Sequence, residues 1–290
     1  MARVFRSDRG MALVHEKYLS LLRDCPLSCE EIRLPTCEGE TFVLACGRPA
    51  APPLVLFHGG STTSAMWLGD LPVWAEHFRV YAVDMIGEPG FSAPSRPPLK
   101  TEDHAFWLDD VWIGLGISRA PIVGASQGGW LALDYAIRRQ PKVQSLVLLA
   151  PGGISRQRIG MSLKVAPLLL LGSWGRRKAV NWAMGLQRND LTAEYEAFFN
   201  FFLLTQAHFA YRMNLLPVFT DEMLGILRLP ILAIVGGKDV AFRSAETRRR
   251  LKTCVPQSRV IYLPEAGHGL QDHASTILDF LLKEGSGARP

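Results

Sequence analysis

The chain of 290 residues is short of several things, and each shortage narrows what it can be. Its five cysteines, Cys25, Cys29, Cys37, Cys46 and Cys254, are an odd number and too sparse for a disulfide scaffold. Cys25 and Cys29 have no second Cys/His pair at zinc spacing, so no metal site is expected and the thiols read as reduced, as in a cytoplasmic enzyme. No apolar run reaches bilayer length: the most apolar stretch, Val165-Ala-Pro-Leu-Leu-Leu-Leu171, is far too short to cross a membrane. Arg3, Arg6 and Arg9 are followed by no signal-peptide core, so a soluble, cytoplasmic protein with no membrane partner is expected. Charge of one sign is scarce as well. Lys plus Arg is 32 against 27 Asp plus Glu, a net +5, which is thin support for a nucleic-acid partner. The basic runs Arg138-Arg139, Arg176-Arg177-Lys178 and Arg248-Arg249-Arg250 fall in helical stretches and read as solvated faces. There is no internal repeat and no low-complexity tract.

What is present is α/β punctuation. Leu54–Phe57, Arg79–Asp84, Ala120–Gly124 and Ser145–Ala150 are short apolar or alternating runs, each ending at a turn-forming residue. Helical pattern fills 63–76, 102–115 and 127–140 between them. Continuous apolar strands separated by helices predict a mostly parallel sheet covered on both faces. Ahead of these, Glu31–Pro35 and Thr41–Ala45 predict an antiparallel hairpin at a sheet edge, preceded by a helix near 11–23. Residues 154–228 lose the strands and carry aromatic and Leu-rich helical pattern, with Tyr195, Phe198, Phe199, Phe201 and Phe202. The strands resume at Ile231–Val235 and Arg259–Leu263, with helices near 243–253 and 271–283. The division expected is therefore 1–153 as the first part of a core, 154–228 as a helical lid and 229–290 as the rest of the core. Most aromatics of the lid form its own core, and some line a pocket beneath it.

The segment that carries chemistry is Gly124-Ala-Ser126-Gln127-Gly128-Gly129, which follows a strand and opens a helix. A Gly-x-Ser-x-Gly pattern in that setting places a serine on a strained turn above the sheet, beside a helix N-terminus that favours a developing anion. A serine hydroxyl needs a base, and the base an orienting group. Of the seven histidines, His268 alone sits in a loop directly after the last strand, at the carboxyl edge that Ser126 occupies. His77 and His104 read as surface helix residues, His208 as lid packing and His273 as exposed. Asp239 follows the strand Ile231–Val235 and is the expected third member; Asp84 reads as a turn cap and Asp272 as a helix N-terminal charge. His58-Gly59-Gly60 follows Leu54–Phe57, so the backbone N–H groups of Gly60 and Gln127 are the expected oxyanion donors, with His58 a structural hydrogen-bonder.

In this motif order, from His58-Gly59-Gly60 through Asp84–Ser92, Gly124–Gly129 and Asp239 to His268, the chain resembles the α/β-hydrolase family over about residues 30–284, and within it the small bacterial carboxylesterases. The resemblance implies an eight-stranded sheet with a lid inserted after the sixth strand, and a serine hydrolase that needs no cofactor and acts on a small-molecule ester. Two features depart from the family pattern. The loop Asp84-Met-Ile-Gly-Glu-Pro-Gly-Phe-Ser92 is one residue longer than the common form, which is expected to alter the pocket rim without touching the triad. The oxyanion segment has two glycines followed by Ser61 in place of three glycines. The same triad also serves lactones, carbon–carbon bonds and N-terminal proline peptides on this fold. An amine-binding site would need Glu194 or Glu196 turned inward, and an acidic substrate would need Arg176, Arg177 or Arg212. A non-catalytic receptor on the same fold is the reading from another class.

Overall fold

The computed structural model of the chain describes residues 4–158, 168, 171–185, 193–212 and 214–285. The apolar runs form one eight-stranded sheet in the order β1-β2-β4-β3-β5-β6-β7-β8. Its strands are β1 (Cys29–Thr36), β2 (Gly39–Cys46), β3 (Pro53–Phe57), β4 (Arg79–Val83), β5 (Ala120–Ala125), β6 (Val143–Leu149), β7 (Ile231–Gly236) and β8 (Arg259–Leu263). The hairpin β1–β2 and the pairing of β2 with β4 are antiparallel, and all pairings from β4 through β3 to β8 are parallel. Every residue of β5 and β7 is buried, whereas the edge strand β1 alternates with solvent. Strands covered on both faces read as unbroken apolar runs, which is why the central ones were visible in the sequence.

Two apolar layers flank the sheet. On one face α3 (Asp103–Gly114), α4 (Gln127–Arg138) and α8 (Ser244–Cys254) bury Trp107, Trp112, Trp130, Tyr135 and Leu251. On the other, α1 (Asp8–Arg23), α2 (Leu71–Ala75) and α9 (Ala274–Gly285) bury Tyr18, Trp74, Ile277 and Phe280, next to Trp67 of a short 3₁₀ turn. The helix expected near 63–76 is split into that turn, Ser64–Trp67, and α2, which begins at Leu71 and carries Pro72 in its first turn, where a missing N–H costs nothing.

Between β6 and β7 the described residues form α5 (Gly172–Met184), α6 (Ala193–His208) and α7 (Asp221–Gly225), with no strand of the sheet among them. Most of the apolar run Val165–Leu171 and the side chains of Glu194 and Tyr195 lie outside the described residues. The N-terminal stretch is not confined to the core: Arg6 N–H donates to the His208 carbonyl at 2.9 Å and Ala210 N–H to the Val4 carbonyl at 2.7 Å, so it straps the end of α6.

Three expectations are corrected. Cys29 and Cys46 form a disulfide rather than two thiols, because the β1–β2 register sets them directly opposite with Cα atoms 4.5 Å apart; Cys25, Cys37 and Cys254 are free. His104 is buried, not at the surface, with its ring edge-on to Trp130 at 5.6 Å. Arg250 is also buried: it binds the Asp221 carboxylate and the Ile154 and Phe219 carbonyls, so it ties α8 to the two ends of the helical insert.

Candidate active site

Ser126 stands between β5 and α4 with φ 51° and ψ −108°, a left-handed conformation that side-chain-bearing residues rarely adopt. The turn is locked by its own backbone: Ser126 N–H donates to the Leu149 carbonyl at 2.8 Å, and its carbonyl accepts from Gly152 N–H at 2.9 Å and Trp130 N–H at 3.1 Å. A Cβ on Gly124 would strike the Gly128 backbone, and one on Gly128 would strike the Phe57 carbonyl. Glycine at both positions is therefore a steric requirement for strand and helix to approach this closely.

The loops after β7 and β8 deliver the other two groups. Gly237 N–H binds the Leu263 carbonyl at 2.7 Å and Lys238 N–H the Ala266 carbonyl at 2.9 Å, which couples the two loops. His268 Nε2 lies 3.1 Å from Ser126 Oγ, and its Nδ1 lies 3.0 Å from Asp239 Oδ2. The second oxygen of Asp239 accepts from the N–H groups of Ala241 at 2.7 Å and Phe242 at 3.1 Å, so with His268 three groups hold the carboxylate and it cannot turn away. Asp239 is almost wholly buried, and Phe242 packs against the His268 ring at 5.6 Å between centroids. In this arrangement the imidazole donates from Nδ1 to Asp239 and presents the Nε2 lone pair to the Ser126 hydroxyl, the tautomer a general base requires.

Facing Ser126 is the turn after β3. Gln127 opens α4, so its N–H has no intrahelical acceptor. Gly60 lies against it: a Cβ there would come within 2.6 Å of Gln127 Oε1. His58 is enclosed and does not face the cavity; its Nε2 accepts from Met85 N–H at 2.9 Å while its Nδ1 lies 2.8 Å from the Gly59 carbonyl, and burial lowers its pKa. Asp84 likewise serves the scaffold, accepting from Ser64 N–H and Oγ, Tyr18 Oη and Phe91 N–H.

Sequence reasoning missed Glu88. It is 4% exposed, and its carboxylate accepts from Ser61 N–H at 2.6 Å and from Gln127 Nε2 at 2.9 Å. Burial raises its pKa to about 7, against the opposing pull of those donors and of Arg96 and Arg212. The only signal in the sequence was the extra residue in the Asp84–Ser92 loop. That loop reaches beyond the pocket rim to the Gly59–Ser61 turn.

A cavity of about 1420 Å³ opens over Ser126 and His268. Its apolar wall includes Met66, Phe198, Phe202, Leu216 and Ile277, contributed by both the core and the helical insert. Of the arginines considered for an acidic substrate, Arg176 and Arg212 line it. Arg177 points elsewhere, to Glu196 and Asn200, and this pairing also takes Glu196 out of an amine-binding role. His273 and Asp272 line the cavity rather than standing clear of it. Among the described residues no group of three or more potential ligands could hold a metal ion, and no helix is long and apolar enough to cross a membrane.

An elbow serine above a parallel sheet, with an acid and a histidine after the last two strands, is the plan of a hydrolase. The chain belongs to the α/β-hydrolase family, whose model matches residues 54–279. Among its relatives are two from Bacillus subtilis. It is 31% identical to the uncharacterized carboxylesterase nap over 94% of this chain and 91% of that one. It is 29% identical to the carboxylesterase YbfK over 88% and 86%. The crystal structure of naproxen esterase (carboxylesterase NP) from the same organism is similar over 96% of this chain and 98% of that one, with a TM-score of 0.82 at 30% identity.

Proposed function

We propose that this protein is a carboxylesterase that works through an acyl-enzyme on Ser126. The observation that carries the reading is the unbroken chain from Ser126 Oγ to His268 at 3.1 Å and from His268 to Asp239 at 3.0 Å, on a chain whose full-length relatives bear the name carboxylesterase. His268 takes the Ser126 proton as the oxygen attacks the ester carbonyl. The backbone N–H groups of Gly60 and Gln127 receive the oxyanion, each contributing about 3 kcal/mol to the transition state. The imidazolium, stabilised by Asp239, then gives its proton to the leaving alcohol. A water activated by the same Nε2 releases the acid and restores the serine. Residues 154–228 act as a lid: Phe198 and Phe202 of α6 line the cavity, so the insert shapes the pocket for the acyl or alcohol group. The partner is a small-molecule ester with an apolar body, and nucleic acid plays no part. The cytoplasmic location expected from the sequence rested in part on reduced thiols, and the Cys29–Cys46 disulfide counts against that ground, since such bonds persist in oxidising compartments.

A ladder of p-nitrophenyl esters from acetyl to long acyl, given to wild type and Ser126→Ala, tests the reading. Turnover in wild type alone is expected, and equal turnover in both would overturn it. A second reading keeps the triad but has it cleave a carbon–carbon bond in a carboxylate-bearing substrate. It is favoured by Arg176 and Arg212 in the cavity wall. Its mark would be inert esters with Ser126 still open to a fluorophosphonate.

A further inference from the structure

Ser61 is left-handed, with φ 59°, and is gripped from both sides. Its N–H donates to Glu88 Oε2 at 2.6 Å, and its carbonyl accepts from Thr205 Oγ1 of α6 at 3.1 Å. The other oxygen of the same carboxylate takes the Gln127 side-chain amide at 2.9 Å, and that amide's oxygen is the atom packed against Gly60. One buried carboxylate thus bridges the two short segments that carry the backbone N–H groups assigned above to the oxyanion, those of Gly60 and Gln127. We propose that Glu88 is a positioning residue of the oxyanion hole: it fixes the spacing and tilt of the Gly60 turn against the first turn of α4 without touching substrate. The inference rests on the serine-hydrolase reading of Ser126.

The physical ground is that oxyanion stabilisation depends on donors held in place before the charge forms. The Gly59–Ser61 turn belongs to no helix or strand, and its last residue, Ser61, is strained, so it needs an external acceptor to hold one orientation. Glu88 supplies it from a loop that is itself pinned, since Gly87 N–H bonds the Ala93 carbonyl at 2.8 Å and Arg96 Nε the Gly87 carbonyl at 3.0 Å. Bonding both donors requires two free acceptor oxygens, which only the ionised carboxylate offers without rearrangement. The groups around it are Arg96, Arg212, Tyr211, Ser61 and Gln127. Of these only the two arginines are charged at neutral pH, and both favour the ionised form.

The test is the second-order rate of fluorophosphonate labelling and kcat per titrated site for wild type, Glu88→Gln and Glu88→Leu, over pH 5–9, with Tm and KM alongside. Phosphonylation uses the same donors whatever the natural substrate. A fall in labelling rate therefore bears on Glu88 even if esters prove inert, while failure of labelling in wild type would count against the serine reading itself. Expected is a drop of about tenfold or more in both rates for Glu88→Leu, at unchanged KM and unchanged labelled fraction. Glu88→Gln, which keeps one acceptor oxygen for Ser61, is expected to fall less, with a pH profile that keeps the dependence due to His268 and loses any further fall toward low pH that Glu88 adds. A purely structural role would lower Tm and the labelled fraction and leave the rate per labelled site untouched. That outcome, in either variant, overturns the proposal. Should Glu88→Leu fail to fold, Glu88→Gln decides by the rate per labelled site.

Discussion

The two sides of the cleft are built by different means. Ser126, Asp239 and His268 each follow the end of a strand in the parallel half of the sheet, and their placement descends from backbone pairing of β5, β7 and β8. The Gly60–Ser61 turn follows β3 but is held by side chains, Glu88 from one loop and Thr205 from the helical insert. Positions fixed by strand pairing are insensitive to any single neighbour, whereas the side proposed to hold the oxyanion depends on a few buried polar contacts. The proton-transfer side should therefore fail by loss of chemistry in an intact fold, and the oxyanion side by loss of geometry.

The comparison can be pressed from its strongest consequence downward. Ser126→Ala is expected to lower kcat by about 10⁴-fold or more, with Tm held, measured as ester turnover and thermal unfolding on one preparation. Asp239→Asn keeps shape but presents the wrong hydrogen to His268 Nδ1; a loss of about 10³- to 10⁴-fold at steady KM is expected. Gly60→Ala drives a methyl to within 2.6 Å of Gln127 Oε1, so a loss of about tenfold is expected. Gln127→Ala added to Gly60→Ala removes the clash, and recovery of part of the rate in the double variant would show that geometry, not the methyl itself, was at fault.

The smallest effect concerns Asp70, whose pKa burial, with nearby Asp272, lifts to about 7. An acid held above its ordinary value binds its proton more tightly folded than unfolded, so its contribution to stability falls as pH rises from about 4 to 7. Asp70→Asn should raise Tm at pH 8 and leave it nearly unchanged at pH 4, and a Tm gain equal at both pH values would refute that origin.

The sheet was legible because its central strands are buried on both faces and write unbroken apolar runs, and the elbow because close approach of β5, β3 and α4 admits only glycine at 124 and 128. His268 and Asp239 were readable from their place after strands. Contacts between distant parts of the chain left no such trace. Cys29 and Cys46 become partners only through the hairpin register, and nothing local marks them as a pair. Glu88 meets Ser61 and Gln127 across 27 and 39 residues, and in sequence it is one acid in a loop that is a residue too long. His104 and Arg250 looked like surface residues because their helices carry other charges. Their burial comes from Trp130 in one case and from the two ends of the insert in the other.

The central claim is that Ser126 is the nucleophile, and mapping the covalent adduct tests it most directly. Wild type treated with a fluorophosphonate and digested for mass spectrometry should carry a single modification on the Ser126 peptide, with ester turnover falling in step with its stoichiometry. An adduct on another residue, or full turnover in protein already modified at Ser126, would contradict the account.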